Sequence, residues 1–172
     1  MFIISALFFL EDVSMNFDSQ LYYLSPAFYR QYPNPPFGEI LYNKNGRAYN
    51  CLLIETKDTY FICVPFRSNM KHKYGYRFRN SVRSKKSKSG LDYKKMVIIE
   101  KSEYLDSTRR AVVDQDEYNE TMRNIVRIAR EANRFLDEYI SYIKGSPSIS
   151  QEEFDRRYTE SPLQYFHSEL GI

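Results

Sequence analysis

A chain of 172 residues is long enough to bury one sizeable core and short for two domains. Apolar residues make up 42% without any low-complexity tract, which excludes a disordered or fibrous chain, and two cysteines exclude a disulfide scaffold. The net charge of +3 carries no nucleic-acid signal by itself, so the distribution of charge has to be read instead.

The opening apolar run, Phe2-Ile3-Ile4-Ser5-Ala6-Leu7-Phe8-Phe9-Leu10, is too short to span a bilayer. It also lacks the basic start and small-residue cleavage site of a secretory signal. Residues 1–14 are therefore read as an N-terminal extension and residues 15–172 as a single domain in a reduced, cytoplasmic setting. A short strand is expected over 20–24. Ser25-Pro26 then supplies a helix cap followed by proline at the first helical position, predicting a helix over 26–32. Pro33-Asn34-Pro35-Pro36 makes a rigid loop, and a further strand is expected over 39–42 with a turn at Asn43-Lys44-Asn45-Gly46.

The clearest strand signals follow, over 47–55 and 59–66, separated by Thr56-Lys57-Asp58. A hairpin centred on Lys57 pairs Cys51 with Cys63, Leu53 with Phe61 and Arg47 with Arg67. The two thiols are then neighbours, read as buried and reduced. A strand is expected over 74–78 with Tyr74, Tyr76 and Phe78 on one face, a flexible basic loop over 81–90 and a buried strand over 95–100. From Asp116 the apolar period changes to that of a helix: Tyr118, Met122, Ile125, Ala129, Ala132, Leu136, Tyr139 and Ile143 share one face. One long helix is expected, closed by Lys144-Gly145 and packed on the sheet. Ser150 with Glu153 opens a last helix through Phe154 and Tyr158. His167 falls in a tail read as surface.

The stretch Pro65-Phe66-Arg67-Ser68-Asn69-Met70-Lys71-His72-Lys73 follows the second hairpin strand. It gathers a hydroxyl, a guanidinium, two ammoniums and an imidazole just past a strand end. Such a set suits an anionic ligand and proton chemistry on a phosphodiester; a solvated basic loop is the plainer alternative. The hairpin pairing adds Arg47 to this cluster. Cations continue to Lys95, with Asp92 the lone carboxylate among them, while most acidic residues lie in the C-terminal half. No GxGxxG, P-loop, HExxH or CxxC pattern supports a nucleotide, zinc-protease or zinc-site function.

The order of elements resembles the ToxN/AbiQ family of type III toxin–antitoxin toxins, nearest its CptN and TenpN branches. The likeness runs from Gln20 to Tyr158. It is carried by Pro65-Phe66-Arg67-Ser68, by Arg47-Ala48-Tyr49, by Tyr22-Tyr23-Leu24 and by the later Ser89-Gly90-Leu91-Asp92-Tyr93-Lys94-Lys95-Met96-Val97-Ile98-Ile99. The resemblance implies an α+β fold in which helices flank a compact, strongly twisted antiparallel sheet with a MazF/Kid-like, SH3-like barrel core. It implies a metal-independent endoribonuclease without cofactor, leaving 2′,3′-cyclic phosphate and 5′-hydroxyl ends on cellular and phage transcripts. It also implies inhibition by a repetitive pseudoknot antitoxin RNA, which the toxin processes and binds in a closed protein–RNA assembly, with a role in phage abortive infection or plasmid maintenance.

Ser68 matches the family's Ser after the strand, whereas Arg67 replaces its partner and the downstream lysine falls on Met70, one place before Lys71. Phe28 stands where the family has a helix tyrosine, with Tyr29 adjacent. Arg47, Arg67, Ser68, Lys71 and His72 are accordingly the candidate catalytic group. Tyr29, Lys73, Tyr74, Arg77 and Arg79 are candidate RNA contacts, and Lys85, Lys86 and Lys88 a separate grip on RNA backbone or a solubilising loop. Tyr22 and Tyr76 are candidates for stacking or for the core. A non-catalytic RNA-binding module and a MazF-class toxin with a protein antitoxin are the competing functions.

Overall fold

The structure, a computed structural model, describes residues 21–42 and 49–172. Over these the chain is α+β, with six antiparallel strands in one sheet and helices packed against it. The extension expected over 1–14, the turn at 43–46 and Arg47 lie outside the described residues.

β1 (Leu21–Tyr23) leads into α1 (Pro26–Gln31). Ser25 caps this helix as expected, its Oγ accepting from the Phe28 amide at 3.3 Å, and Pro26 has no donor to leave unpaired. The strand expected over 39–42 is absent. The amides around it are spent elsewhere: Phe37 N donates to Pro33 O at 3.1 Å, Gly38 N to Pro36 O at 2.8 Å and Ile40 N to Phe37 O at 3.2 Å, while Glu39 N donates to Tyr165 Oη at 3.3 Å.

β2 (Asn50–Glu55) and β3 (Phe61–Arg67) form the expected hairpin, but two residues out of the expected register: Cys51 faces Pro65 and Leu53 faces Cys63. The cause is a wider turn closed by a side chain. Thr56 Oγ1 donates to Tyr60 O at 2.6 Å and accepts from Asp58 N at 3.2 Å, drawing Thr56 and Tyr60 out of the ladder. A slip of two preserves the face each side chain occupies, so Cys51 and Cys63 stay on one side of the sheet, both buried and free.

Downstream come β4 (Gly75–Arg77), β5 (Gly90–Asp92) and β6 (Val97–Ile99). β3 is central. β2 lies along one edge, while the other pairs first with β6 through Phe61–Cys63 and then with β5 through Phe66 and Arg67. The partner changes around Pro65, an interruption at which a missing amide hydrogen is tolerated. β4 pairs with β5, giving the order β1-β2-β3-β5-β4; among the described residues β1 and β4, at the two ends, do not pair with each other, so the sheet is open.

Two helical expectations are corrected. The basic loop over 81–90 contains α2 (Val82–Ser87), capped by Ser81 Oγ accepting from Ser84 N at 2.8 Å and closed by Lys88 in the left-handed region, φ 49°. The single long helix is two, α3 (Gln115–Arg123) and α4 (Ile125–Ile143), interrupted at Asn124, φ −115° and ψ 12°. α4 buries Ile125, Ile128, Ala132, Phe135, Leu136 and Tyr139 and stops before Gly145, whose φ is +80°. α5 (Gln151–Tyr158) opens on Ser150, whose Oγ accepts from Glu153 N at 3.2 Å.

The tail is not surface. After a 3-10 turn, Pro162–Tyr165, α6 (His167–Leu170) returns to α1, with Leu163 and Phe166 fully buried and the Phe166 ring 5.0 Å from that of Tyr32. His167 is half-buried, its Nε2 2.7 Å from Tyr139 Oη. One continuous apolar cluster joins the sheet, α4 and this tail. Among the described residues no helix is long and apolar enough to cross a membrane.

Candidate functional site

β3 ends on Arg67, and its register with β5 fixes what that side chain meets. Arg67 stands opposite Gly90, so Asp92, two residues further along β5, is its diagonal neighbour on the same face. Arg67 Nη1 donates to Asp92 Oδ2 at 2.7 Å. The Asp92 side chain is 0% exposed, whereas 28% of the Arg67 side chain reaches solvent. A buried carboxylate thus holds a guanidinium at the lip of the sheet.

On β4, Gly75 faces Asp92 and Arg77 faces Gly90. The two glycines leave a bare patch on this face, and Met70, 1% exposed, fills it. A Cβ at Gly90 would stand 2.3 Å from Tyr76 O and 2.9 Å from Met70 Sδ; one at Gly75 would stand 2.3 Å from Leu91 O and 2.6 Å from Met70 Cε. Asn69 adopts φ 56° to turn Met70 inward. The loop is then pinned from both sides. Met70 N donates to Lys88 O at 3.3 Å, and Arg77 Nη2 donates to Met70 O at 3.0 Å and His72 O at 2.6 Å.

This pinning brings His72 over the same carboxylate. His72 Nε2 lies 3.3 Å from Asp92 Oδ1, off the line a hydrogen bond needs, so neither atom has a hydrogen-bond partner. The other ring nitrogen, Nδ1, accepts from Tyr74 N at 3.3 Å. The imidazole stacks on the Tyr74 ring, centroids 5.9 Å apart, and Arg157 from α5 and Lys73 each approach that ring to 5.7 Å. Tyr74 Oη donates to Glu153 at 3.4 Å, and the Arg157 hydrogen bond holds the Glu153 carboxyl below its usual range. Burial, then Glu153, pushes the Tyr74 phenol up.

The candidate residues divide accordingly. Arg67, Ser68, Lys71 and His72 share the end of β3 and its loop; Ser68 is half-buried with no hydrogen bond to a described residue, and Lys71 and Lys73 are exposed. Arg77 is turned inward onto carbonyls. Lys94 and Lys95 at the end of the basic run are also turned inward, to Glu160 and Glu39 respectively. Arg79, Lys85 and Lys86 on α2, and Lys88 just past it are exposed. Tyr29 is elsewhere, its ring 5.5 Å from Phe28 and 5.0 Å from Tyr42, with its phenol raised by burial. Tyr22 is half-buried opposite Cys51, and Tyr76 is buried with Oη donating to Glu120 at 3.2 Å.

Two groups of carboxylates escaped the sequence reading. Asp92 was visible only as the single acidic residue in a cationic run, at a strand end. Glu117 and Glu120 were masked by an apolar period offset from them, yet they are the buried face of α3. Glu117 accepts from Ser81 Oγ at 3.1 Å and from Ser89 Oγ, and Glu120 accepts from the amides of Arg79 at 3.1 Å and Asn80 at 3.3 Å. They tie both ends of the α2 segment to the body of the protein. Among the described residues no cluster of His, Cys, Asp and Glu could hold a metal ion.

Comparison with protein-family models, curated proteins and solved structures gives no match to this chain.

Proposed function

We propose that this chain is an endoribonuclease toxin of the ToxN/AbiQ kind, acting on RNA phosphodiesters without a metal, on a sheet core of the MazF/Kid kind. The observation that supports the reading is Arg67, fixed by a buried carboxylate yet open to solvent, beside the Ser68 hydroxyl, which has no hydrogen bond to a described residue, and on one loop with Lys71 and His72. Guanidinium matches a phosphate bidentately, and an aimed donor at developing charge contributes about 3 kcal/mol to the transition state. In the reaction the 2′-oxygen bonds to phosphorus while the bond to the 5′-oxygen breaks. The 2′-hydroxyl proton passes to a base and the leaving oxygen takes a proton, giving a 2′,3′-cyclic phosphate and a 5′-hydroxyl. Arg67 and Lys71 face the non-bridging oxygens, Ser68 orients the phosphate, and the His72 imidazole exchanges the proton. Lys85, Lys86 and Lys88 hold the flanking backbone of substrate or of a repetitive antitoxin RNA.

One observation favours a non-catalytic RNA-binding module instead: both nitrogens of His72 are directed at protein atoms. The purified protein incubated with a mixed-sequence oligoribonucleotide in EDTA separates the two. New ends bearing 2′,3′-cyclic phosphate, lost in Arg67→Gln and reduced in Ser68→Ala, are expected. Binding of the oligonucleotide with no cleavage by the wild type leaves the binding module; neither binding nor cleavage removes both.

A further inference from the structure

The Asp92 carboxyl touches both Arg67 and His72, and its chemistry constrains what each can do. We propose that Asp92 is the positioning residue of this site, aiming Arg67 through Oδ2 and, through Oδ1, holding His72 as the tautomer protonated at Nε2, with Nδ1 its only basic atom. The inference rests on the proposed ribonuclease reading for its consequence, and on geometry alone for the tautomer.

The two ring nitrogens decide the assignment together. Nδ1 accepts from the Tyr74 amide at 3.3 Å, and an acceptor nitrogen carries no proton in the neutral ring. The hydrogen is therefore on Nε2, which faces the carboxylate oxygen at 3.3 Å. The opposite tautomer fails on both sides, setting a lone pair against Oδ1 and an N–H against an N–H. The Nε2 contact is off-axis, and both of its atoms are buried without another partner, so a small rotation of the ring would straighten it. That rotation moves Nδ1 away from the Tyr74 amide. His72 thus has two positions, one satisfying Tyr74 and one satisfying Asp92, and only the second frees Nδ1 for a substrate proton. On taking that proton the ring becomes an imidazolium whose Nε2–H faces a buried anion, the stabilising arrangement of positioned histidine bases. Among the described residues the other charges near the ring include Lys71 and Lys73 on its own loop, Arg67 on β3, Arg77 on β4 through the His72 carbonyl, and Glu160 beyond α5 with its partner Lys94. Glu153 and Arg157 on α5 act through Tyr74.

Asp92→Asn gives a sharp test, because an amide offers one oxygen where the carboxylate offers two. The variant must release either Arg67 or His72. Long-range proton–nitrogen NMR of the imidazoles, with His72 and His167 told apart by His167→Gln, reads the tautomer directly in the full chain. Neutral His72 is expected with Nε2 protonated. In Asp92→Asn either the tautomer becomes mixed or the slowly exchanging guanidinium signal of Arg67 is lost. An Nδ1-protonated ring in the wild type overturns the proposal even if the variant fails to fold. So do an unchanged tautomer and an unchanged Arg67 signal in a folded variant. With the oligoribonucleotide, Asp92→Asn is expected to lower kcat at least tenfold more than it raises KM, and Arg67→Gln combined with it to lose little further. A wild type that cleaves no RNA sinks the ribonuclease reading and leaves the tautomer result standing.

Discussion

Met70 occupies the position at which the resemblance to ToxN/AbiQ toxins expects a lysine, and the packing explains why a lysine does not fit there. Its side chain covers Gly75 and Gly90, out of reach of solvent. Met70→Lys would carry an ammonium into this buried seat, and a loss on the order of 3 kcal/mol is expected, read as a lower denaturant midpoint at unchanged slope. A wild-type midpoint would mean that the loop is not seated on the glycines. Gly90→Ala tests the same seat from beneath. Its methyl group would fall 2.3 Å from a backbone oxygen, which cannot yield as a side chain can, and a loss of about 1–3 kcal/mol or more is expected. What the sequence displayed at this scale was the set of polar groups, Arg67, Ser68, Lys71 and His72. It did not display Asp92 as their centre, because strand register, and not sequence distance, brings Asp92 beside Arg67. A hairpin turn closed by the Thr56 hydroxyl is likewise invisible to residue counting, so the Cys51–Cys63 pairing failed by two while the face held.

Elements were legible where local chemistry decides them. Ser25-Pro26, Ser150 with Glu153, and Gly145 mark helix ends that the structure keeps. They were illegible where a neighbour supplies the missing partner. α2 reads as a loop by composition, since Ser-Val-Arg-Ser-Lys-Lys-Ser has no apolar face to bury. It is held at its two ends instead by Glu117, through Ser81 and Ser89, and by Asp116, which accepts from Val82 N at 2.8 Å. α3 turns its carboxylates inward because the facing strand end and helix start present amides that need acceptors, and the apolar period running on into α4 conceals this break at Asn124. Glu117→Ala should therefore loosen α2 selectively. The amides of Lys85 and Lys88, bonded to Ser81 O and Ser84 O, are expected to exchange faster with solvent while those of β2 and β3 keep their protection. A uniform rise in exchange would instead mark Glu117 as part of the global core. Replacing Lys85, Lys86 and Lys88 by Gln leaves these anchors untouched. On the proposed function it weakens RNA binding and flattens the salt dependence by about 0.7 in slope for each phosphate no longer neutralised. An unchanged slope counts against a direct phosphate role for these lysines.

The whole molecule is rich in tyrosine, sixteen of them with no tryptophan, and aromatic rings run through the apolar cluster that joins the helices to the sheet. Phe135, Tyr139, Phe154 and Tyr158 stack between α4 and α5, and Tyr93 joins the sheet to α4 through Glu131 at 3.0 Å. Burial pushes the phenols of Tyr29, Tyr32, Tyr60, Tyr93 and Tyr158 well above the ordinary value, and that of Tyr139 up to about 12. In each case the neutral form is favoured by the fold. Unfolded chains lose these protons near pH 10, so between there and the raised folded values the unfolded state binds fewer protons, and stability falls as pH rises. The contribution is complete below pH 10 and is lost progressively above it. An alkaline titration followed at the tyrosinate absorbance should show two classes. Phenols open to solvent ionise first and reversibly, with the far-ultraviolet circular dichroism unchanged. The buried set then ionises in one steep step that coincides with loss of helix and sheet signal. A single smooth ionisation with secondary structure intact through pH 12 would mean that these rings are reached by solvent, and that the aromatic seam joining the sheet, α4 and the C-terminal tail is not packed as described.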